Sequence, residues 1–227
     1  MKTLASRISI LATIVLVSLC NGFSQGFVNL DFESASIIPL VGGPYYPYSI
    51  LVANAVPGWT VNIGGVQVSQ ITYNDPTAGS AGATLWATNG AQISGRYSVD
   101  LTGSIDGTTA ASISQSSLVP VTANSILFEA QPGFGALVIS LGGQSLSFFA
   151  LSSGSNYTLY GADVSAFAGQ TEQLTFSALG YSQRLNYWNI DNIQFSSSPV
   201  PEPGALGLFA LGGALLSLRR WKQPFQI

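Results

Sequence analysis

The chain has 227 residues, of which only 7% are charged, and it contains one cysteine and no histidine. The absence of histidine excludes Ser-His-Asp and Cys-His catalytic sites and removes the commonest zinc and copper ligand. Residues 25–203 hold all ten acidic residues and only two basic ones, Arg96 and Arg184, so this part has a net charge near −8. Such an acidic body excludes a nucleic-acid-binding role, because phosphate contacts need lysine and arginine.

The first 24 residues have the three-part layout of a secretory signal peptide. A basic start is followed by an apolar run over residues 8–19 and by small residues at Gly22 and Ser24. We therefore predict that residues 1–24 are removed on export together with Cys20, which leaves a mature chain without disulfides. The alternative is a retained membrane anchor, which the short apolar run disfavours because a span needs about 20 residues.

Residues 25–196 are predicted to form one β-domain. Val28, Leu30 and Phe32 alternate with polar residues, which is typical of a half-buried strand. Turn-forming residues separate further short candidate strands, and Gly142-Gly143 predicts a tight hairpin between two of them. Many short strands without a long 3.6-residue period predict an all-β fold, an antiparallel β-sandwich. The further candidates are residues 66–73, 84–86, 96–102, 110–116, 125–130, 136–141, 144–150, 157–163, 171–179 and 187–195.

The last candidate strand has a break in its alternation. Trp188 and Ile190 share one face by parity, whereas Ile193 and Phe195 have the opposite parity. Both pairs can face the core only if an extra residue intervenes near residues 191–192. We therefore predict a β-bulge at that point.

The C-terminus has three parts. A linker over residues 197–203 ends in Pro201-Glu202-Pro203, a 15-residue run over 204–218 has no charge, and Arg219-Arg220-Trp221-Lys222 follows. A helix of that length extends about 22 Å against a hydrocarbon core of about 30 Å, and basic side chains can snorkel to lengthen its reach. We predict a C-terminal transmembrane helix and basic tail over residues 204–227. The alternative, a buried core helix, is disfavoured by the terminal basic cluster.

This tail resembles the PEP-CTERM sorting signal. The resemblance rests on Pro201-Glu202-Pro203, the short apolar run and the Arg219-Arg220 cluster, and it covers about residues 199–222. It implies a bacterial protein exported to the cell envelope, cell surface or extracellular matrix, in association with exopolysaccharide or biofilm. It also implies that an exosortase, a membrane protease, recognises the motif and processes the tail, so that this chain is a substrate of that enzyme.

The body resembles galactose-binding-like jelly-roll domains. The resemblance rests on the opening residues 29–33, on residues 157–171 and 174–176, and on the closing segment 188–195. It implies a jelly-roll sandwich and a possible structural Ca²⁺ between the first and last strands, with Glu33 and Asp191 as ligands. The alternative is that these acids are solvated or cap turns, because Ca²⁺ takes six to eight oxygen ligands and two carboxylates do not define a site.

A tyrosine-rich loop is the candidate ligand-binding segment. The run is Pro44-Tyr45-Tyr46-Pro47-Tyr48, in which the prolines would stiffen the loop, and exposed aromatic faces stack on sugar rings. The alternative is that these tyrosines cover the edge of the core and form hydrogen bonds through their hydroxyl groups.

Carboxylates along the body could supply the catalytic pair of a glycan hydrolase. The sequence gives no separation between them, and each also suits a solvated turn or strand end. We therefore predict a non-enzymatic exported surface or matrix protein, with a carbohydrate-binding module and a glycan hydrolase as alternatives. The candidate acids are Asp100, Asp106, Glu129, Asp163 and Glu172.

Overall fold

The computed structural model describes residues 26–38, 40, 49–75, 80–87 and 91–200. The predicted signal peptide, the tyrosine loop, the Pro201-Glu202-Pro203 motif and the C-terminal helix lie outside the described residues. Within the described part, no helix has the length and apolar character needed to cross a membrane.

The regular secondary structure of the described part is β-strand apart from one four-residue α-helix, Val52–Ala55, and one 3₁₀ helix, Ser165–Phe167. The strands are β1 Ser49–Leu51, β2 Thr60–Ile63, β3 Val66–Val68, β4 Gln70–Tyr73, β5 Gly82–Trp86, β6 Ser98–Gly103, β7 Ala111–Leu118, β8 Ser125–Pro132, β9 Leu137–Leu141, β10 Gln144–Leu146, β11 Phe148–Ser153, β12 Thr158–Asp163, β13 Thr171–Ala178 and β14 Asn186–Ser196.

The strands form a two-sheet sandwich. One sheet has the order β1-β4-β5-β6-β14-β8-β12-β11, and the other has the order β10-β9-β13-β7-β2-β3. All pairs are antiparallel except β4 with β5. Eight of these strands, β6 to β10 and β12 to β14, can be numbered 1 to 8 in chain order. In that numbering, β6-β14-β8-β12 of the first sheet is 1-8-3-6, and β7-β13-β9-β10 of the second sheet is 2-7-4-5. That order is a jelly roll, and it confirms the predicted all-β sandwich.

The core lies between the two sheets and is filled by the alternate apolar residues of the strands. Phe128 of β8 is fully buried and packs against the rings of Phe148, Tyr160 and Phe176 at centroid distances of 5.6, 5.3 and 5.4 Å. Trp188 is also buried, as predicted. These contacts join four strands from both sheets.

The predicted strand over residues 28–32 is wrong. Asn29 and Phe32 have φ angles of 51° and 57°, in the left-handed region, so the chain turns here. The indole Nε1 of Trp59 donates to the backbone carbonyl of Asn29 at 3.0 Å, and the side-chain amide of Asn29 donates to the Pro57 carbonyl at 3.1 Å. Phe32 is still fully buried. The alternation therefore indicated the burial of Phe32 correctly, but Val28 is exposed and the segment is not a strand.

The bulge predicted near residues 191–192 is confirmed. The pairing of β14 with β8 shifts register between Asp191 and Gln194, and Asn192 has a φ of 46°. Asparagine tolerates this left-handed conformation better than most residues. The Ile193 amide donates to the Leu30 carbonyl at 3.0 Å, so the turn at the start of the domain accepts a hydrogen bond from the bulge.

Other strand predictions differ from the structure mainly at boundaries. The predicted segments 66–73 and 144–150 each form two strands, and β1 and β2 were not predicted. The Gly142-Gly143 hairpin is confirmed, with Leu141 opposite Gln144 and φ angles of 59° and 77° at the two glycines.

Candidate functional site

A row of polar side chains crosses the outer face of the eight-stranded sheet. Strand register aligns Thr72, Thr84, Asp100, Asn189 and Gln131 across five neighbouring strands. Successive side chains of a strand point to opposite faces of the sheet, and the residues on either side of these five in their strands face the core. These five side chains therefore point away from the core. The first four are nevertheless buried. The outer face must therefore be covered at this point.

The cover includes the segment over residues 91–97. The side-chain amide of Asn189 donates to the Ala91 carbonyl at 2.7 Å, and the side-chain amide of Asn156 donates to the Ile93 carbonyl at 3.2 Å. The Ser94 backbone N–H donates to Asp191 Oδ2 at 3.1 Å. These bonds fix the segment above β14, beside Asn189 and Asp191.

Asp100 is the buried carboxylate of this row. Burial raises its pKa to about 6, although hydrogen bonds from the side chains of Thr102 and Trp86 act in the opposite direction. The Thr102 hydroxyl donates to Asp100 Oδ1 at 2.7 Å. A carboxyl group with this pKa changes protonation state in weakly acidic solution.

Two buried polar atoms beside Asp100 have no hydrogen-bond partner among the described residues. They are the Ser98 hydroxyl and the Asn189 side-chain oxygen. Ser98 lies two residues before Asp100 on the same face of β6, and Asn189 is the register partner of Asp100 on β14. Groups of this kind are suited to bind a buried water molecule.

The structure brings Glu33 and Asp191 to the same segment, residues 94–97. Glu33 Oε1 accepts the Arg96 and Tyr97 backbone N–H groups at 2.6 and 3.0 Å, and Glu33 Oε2 pairs with the Arg96 guanidinium at 3.2 Å. Asp191 Oδ1 accepts the Asn192 N–H at 2.7 Å. Glu33 therefore fastens the opening turn of the domain to the cover segment.

Asp191 is the most perturbed acid of the described part. Burial, helped by the negative charges of Glu129 and Glu33, raises its pKa to about 7, against the effect of the two amide hydrogen bonds from Asn192 and Ser94. Glu129 is its register partner on β8, so the two carboxylates are neighbours on the same face. Only 1% of Asp191 is exposed, so a substrate has no access to it in this conformation.

In this structure the oxygens of Glu33 and Asp191, the two predicted calcium ligands, already have partners in the protein. Three of the four oxygens of Glu33 and Asp191 accept N–H groups, and the fourth pairs with a guanidinium cation. Within the described part, no group of three or more acidic, histidine or cysteine residues is arranged to hold a metal ion. Ca²⁺ takes six to eight oxygens. The calcium ion stays a prediction.

Calcium binding would be visible in thermal unfolding. A Ca²⁺ ion at Glu33 and Asp191 is expected to raise the Tm in saturating Ca²⁺ relative to chelator, because a ligand that binds only the folded state stabilises it. Glu33→Gln should abolish that shift, whereas Glu172→Gln, on the other sheet, should keep it. An unchanged Tm in saturating Ca²⁺ rejects the ion.

Three of the candidate catalytic acids have local structural contacts. Asp106 Oδ1 accepts the Thr108 N–H and hydroxyl at 2.9 and 2.8 Å, and bonds from Ser104 and Thr108 lower its pKa. Asp163 accepts the Ser165 N–H at 2.8 Å, where the 3₁₀ helix starts. Glu172 lies against the hairpin turn at Gly142. Turn capping accounts for Asp106 and Asp163.

The exposed aromatic residues of the described part were not anticipated from the sequence. Phe134, Tyr181 and Tyr187 lie at one end of the sandwich, near Arg184. A signal for Phe134 is present in its setting, because an aromatic residue between Gly133 and Gly135 in a turn has no strand to bury it.

The segment before the tail is attached to the domain. The side-chain amide of Asn124 donates to the Ser197 carbonyl at 2.6 Å, and the Ser125 hydroxyl donates to the Ser198 carbonyl at 2.8 Å. Val200 packs at Gly161, where a Cβ atom would lie 3.1 Å from its side chain. The domain thus holds the chain as far as the residue before Pro201.

Residues 199–220 match the model of the PEP-CTERM protein-sorting motif. The chain carries a PEP-CTERM sorting motif. The match confirms the resemblance of the tail, and the motif starts at Pro199, immediately after the hydrogen-bonded residues 197–198. Among curated proteins, none matches this chain.

Two solved structures are distantly similar. One is the enzymatically active domain of bacteriophage CBA120 tailspike protein 4, 12% identical, with a TM-score of 0.37 over 61% of this chain and 19% of that chain. The other is a family 11 carbohydrate-binding module from Clostridium thermocellum in complex with a β-1,3-1,4-mixed-linked tetrasaccharide. It is 9% identical, with a TM-score of 0.35 over 68% of this chain and 97% of that chain. The chain spans about a fifth of the length of the tailspike chain.

Proposed function

We propose that this protein is exported and sorted to the cell envelope or surface through its PEP-CTERM motif, with an exosortase processing the tail. The observation that supports this most strongly is the motif match over residues 199–220. The attachment of residues 197–198 and Val200 to the sandwich agrees with it, because the motif then begins directly at the surface of a folded domain.

The body would act there as a non-catalytic component of the exopolysaccharide or biofilm matrix. Several features support this role. The chain lacks histidine, the candidate acids Asp106 and Asp163 cap turns, and the most perturbed acid, Asp191, is covered. A sandwich with few charges and many Ser, Thr and Gly residues suits a protein that works outside the cell.

Removal of the tail tests the sorting proposal. Deleting residues 201–227 should move the protein from the envelope fraction to the soluble or secreted fraction, because both the motif and the apolar segment are lost. Replacing Pro201, Glu202 and Pro203 with alanine keeps the apolar segment and should block processing, so that the longer form accumulates. The measurement is cell fractionation with immunoblotting against the domain.

A surface control separates sorting from folding. Asp106→Asn, in an exposed turn of the domain, should leave both the fractionation and the processed size unchanged. If deletion of residues 201–227 leaves the fractionation as in the native protein, the sorting proposal is refuted.

A second candidate function is carbohydrate binding through the loop with Tyr45, Tyr46 and Tyr48. These residues lie outside the described part, so the proposal rests on the sequence pattern. Glycan binding that survives Tyr45→Ala and Tyr46→Ala would reject this loop as the binding site.

A further inference from the structure

We propose that the outer face of β8, β12 and β11 docks on a lipid bilayer and lies against its headgroup region while the C-terminal tail is inserted. We call this surface the tail face. Its residues are Leu127, Phe149, Leu151, Leu159 and Gly161. The inference rests on the proposed sorting route, in which residues 204–218 enter a membrane before processing, and it adds the orientation of the domain on that membrane.

Strand alternation puts apolar side chains on the tail face. The rings of Phe128 and Tyr160 stack in the core at 5.3 Å. Leu127 and Leu159, which precede them in β8 and β12, therefore point to the opposite side of the sheet. Phe149 of β11 follows another core ring and points outward for the same reason. The face is thus apolar where a solvent-facing sheet would carry polar residues.

Gly161 forms a notch in the tail face, and Val200 packs there. A Cβ atom at Gly161 would lie 2.9 and 3.0 Å from the side chains of Leu151 and Leu127. It would lie 3.1 Å from the side chain of Val200, the last described residue. Register places this notch between Leu127 of β8 and Phe149 of the edge strand β11. The chain therefore leaves the described domain on this face, beside the exposed Leu151.

The tether between this face and the predicted membrane segment is short. The four steps from Val200 to Gly204 span at most about 14 Å when the chain is fully extended. A bilayer is about 40–45 Å thick and its hydrocarbon core about 30 Å, which leaves about 6 Å of headgroup region on each side. With Gly204 at the edge of the hydrocarbon core, Val200 lies within about 8 Å of the headgroups. The apolar side chains beside Val200 are thus within reach of the membrane surface.

The charge of the tail face indicates the kind of lipid that it fits. None of β8, β11 and β12 carries a lysine or arginine, and their acids are Glu129 and Asp163. Glu129 Oε2 accepts the side-chain amide of Asn192 at 3.1 Å, and Asp163 accepts the Ser165 N–H. Attraction to the bilayer must therefore come from apolar contact, so we expect zwitterionic lipid to suit this face better than anionic lipid.

The test places the environment-sensitive dye NBD on the full chain and adds phosphatidylcholine vesicles. The dye is attached at Leu151→Cys in a Cys20→Ser background, and its emission should shift to shorter wavelength and strengthen severalfold as it enters apolar surroundings. Val66→Cys is the matched control, because Val66 is also an exposed apolar residue of an edge strand, but β3 belongs to the other sheet. Its dye should keep the emission that it has in water. Equal shifts at both positions would overturn the proposal.

A dye in the tail separates this proposal from the sorting route. At Leu211→Cys, within the apolar run, the same shift reports insertion of the tail itself. A shift at residue 211 without one at residue 151 would overturn the docking of the tail face and leave the sorting proposal intact. No shift at either position would contradict tail insertion and this inference with it. A shifted emission at residue 151 before vesicles are added would show that the tail or a second copy already covers the face, and would also overturn the proposal.

Discussion

Phe128→Ala should lower the free energy of unfolding by about 3–5 kcal/mol, the range for loss of a fully buried phenylalanine. The ring has no exposed surface and contacts Phe148, Tyr160 and Phe176. Its removal leaves a cavity at the point where β8, β11, β12 and β13 meet. The measurement is chemical denaturation followed by tryptophan fluorescence, extrapolated to zero denaturant.

Phe134→Ala is the matched control, because it makes the same substitution at an exposed position. Phe134 is 58% exposed, so we expect its free energy of unfolding to change by less than about 1 kcal/mol. Comparable losses for both variants would show that the exposed ring is part of the folded core.

The protein should become less stable as the pH rises from about 5 to 8. The pKa of Asp191 is raised from 3.8 to about 7 by burial, and that of Asp100 is raised to about 6 for the same reason. Between the unfolded and folded pKa values, the folded state binds more protons than the unfolded state, so the free energy of unfolding falls with rising pH. The free energy of unfolding that Asp191 contributes at low pH, and that is lost as the pH rises, is at most about 4 kcal/mol, since one pKa unit corresponds to about 1.4 kcal/mol.

Asp191→Asn should remove most of this pH dependence. The variant cannot ionise at this position, although it loses one acceptor for the Ser94 or Asn192 amide, which costs about 1 kcal/mol at pH 5. Asp163→Asn is the control, because Asp163 is exposed and also accepts a backbone amide, that of Ser165. Denaturation at pH 5, 6, 7 and 8 in chelator gives the slopes. A native stability that rises over this range would contradict the assignment.

Local patterns in the sequence predicted several features accurately. The two glycines at 142–143 adopt the left-handed conformation that a two-residue hairpin needs, so the turn followed from residue type alone. The bulge followed from the parity of Trp188, Ile190, Ile193 and Phe195, because side chains alternate along a strand whatever its neighbours are. Burial of Trp188 followed from the same reasoning.

The opening segment shows where such patterns fail. Leu30 and Phe32 alternate as in a strand, yet the chain turns at Asn29 and Phe32. Alternation of apolar and polar residues indicates which side chains are buried, but it does not require a strand. A turn that packs against the core, here hydrogen-bonded by Trp59, can bury the same side chains. Glu33 and Asp191 both accept backbone N–H groups of the 94–97 segment, and Glu33 also pairs with Arg96, which no local pattern could indicate.

The sequence by itself determined the sorting motif, the all-β class and the acidic character of the body, because these depend on composition, order and short-range alternation. Only the tertiary structure decided which side chains meet. It bonded Asn189 to the 91–97 segment, placed Glu129 opposite Asp191, and brought Arg184 onto the ring of Phe134. These partners are about 50 to 100 residues apart along the chain, and jelly-roll pairing, rather than local preference, brings them together.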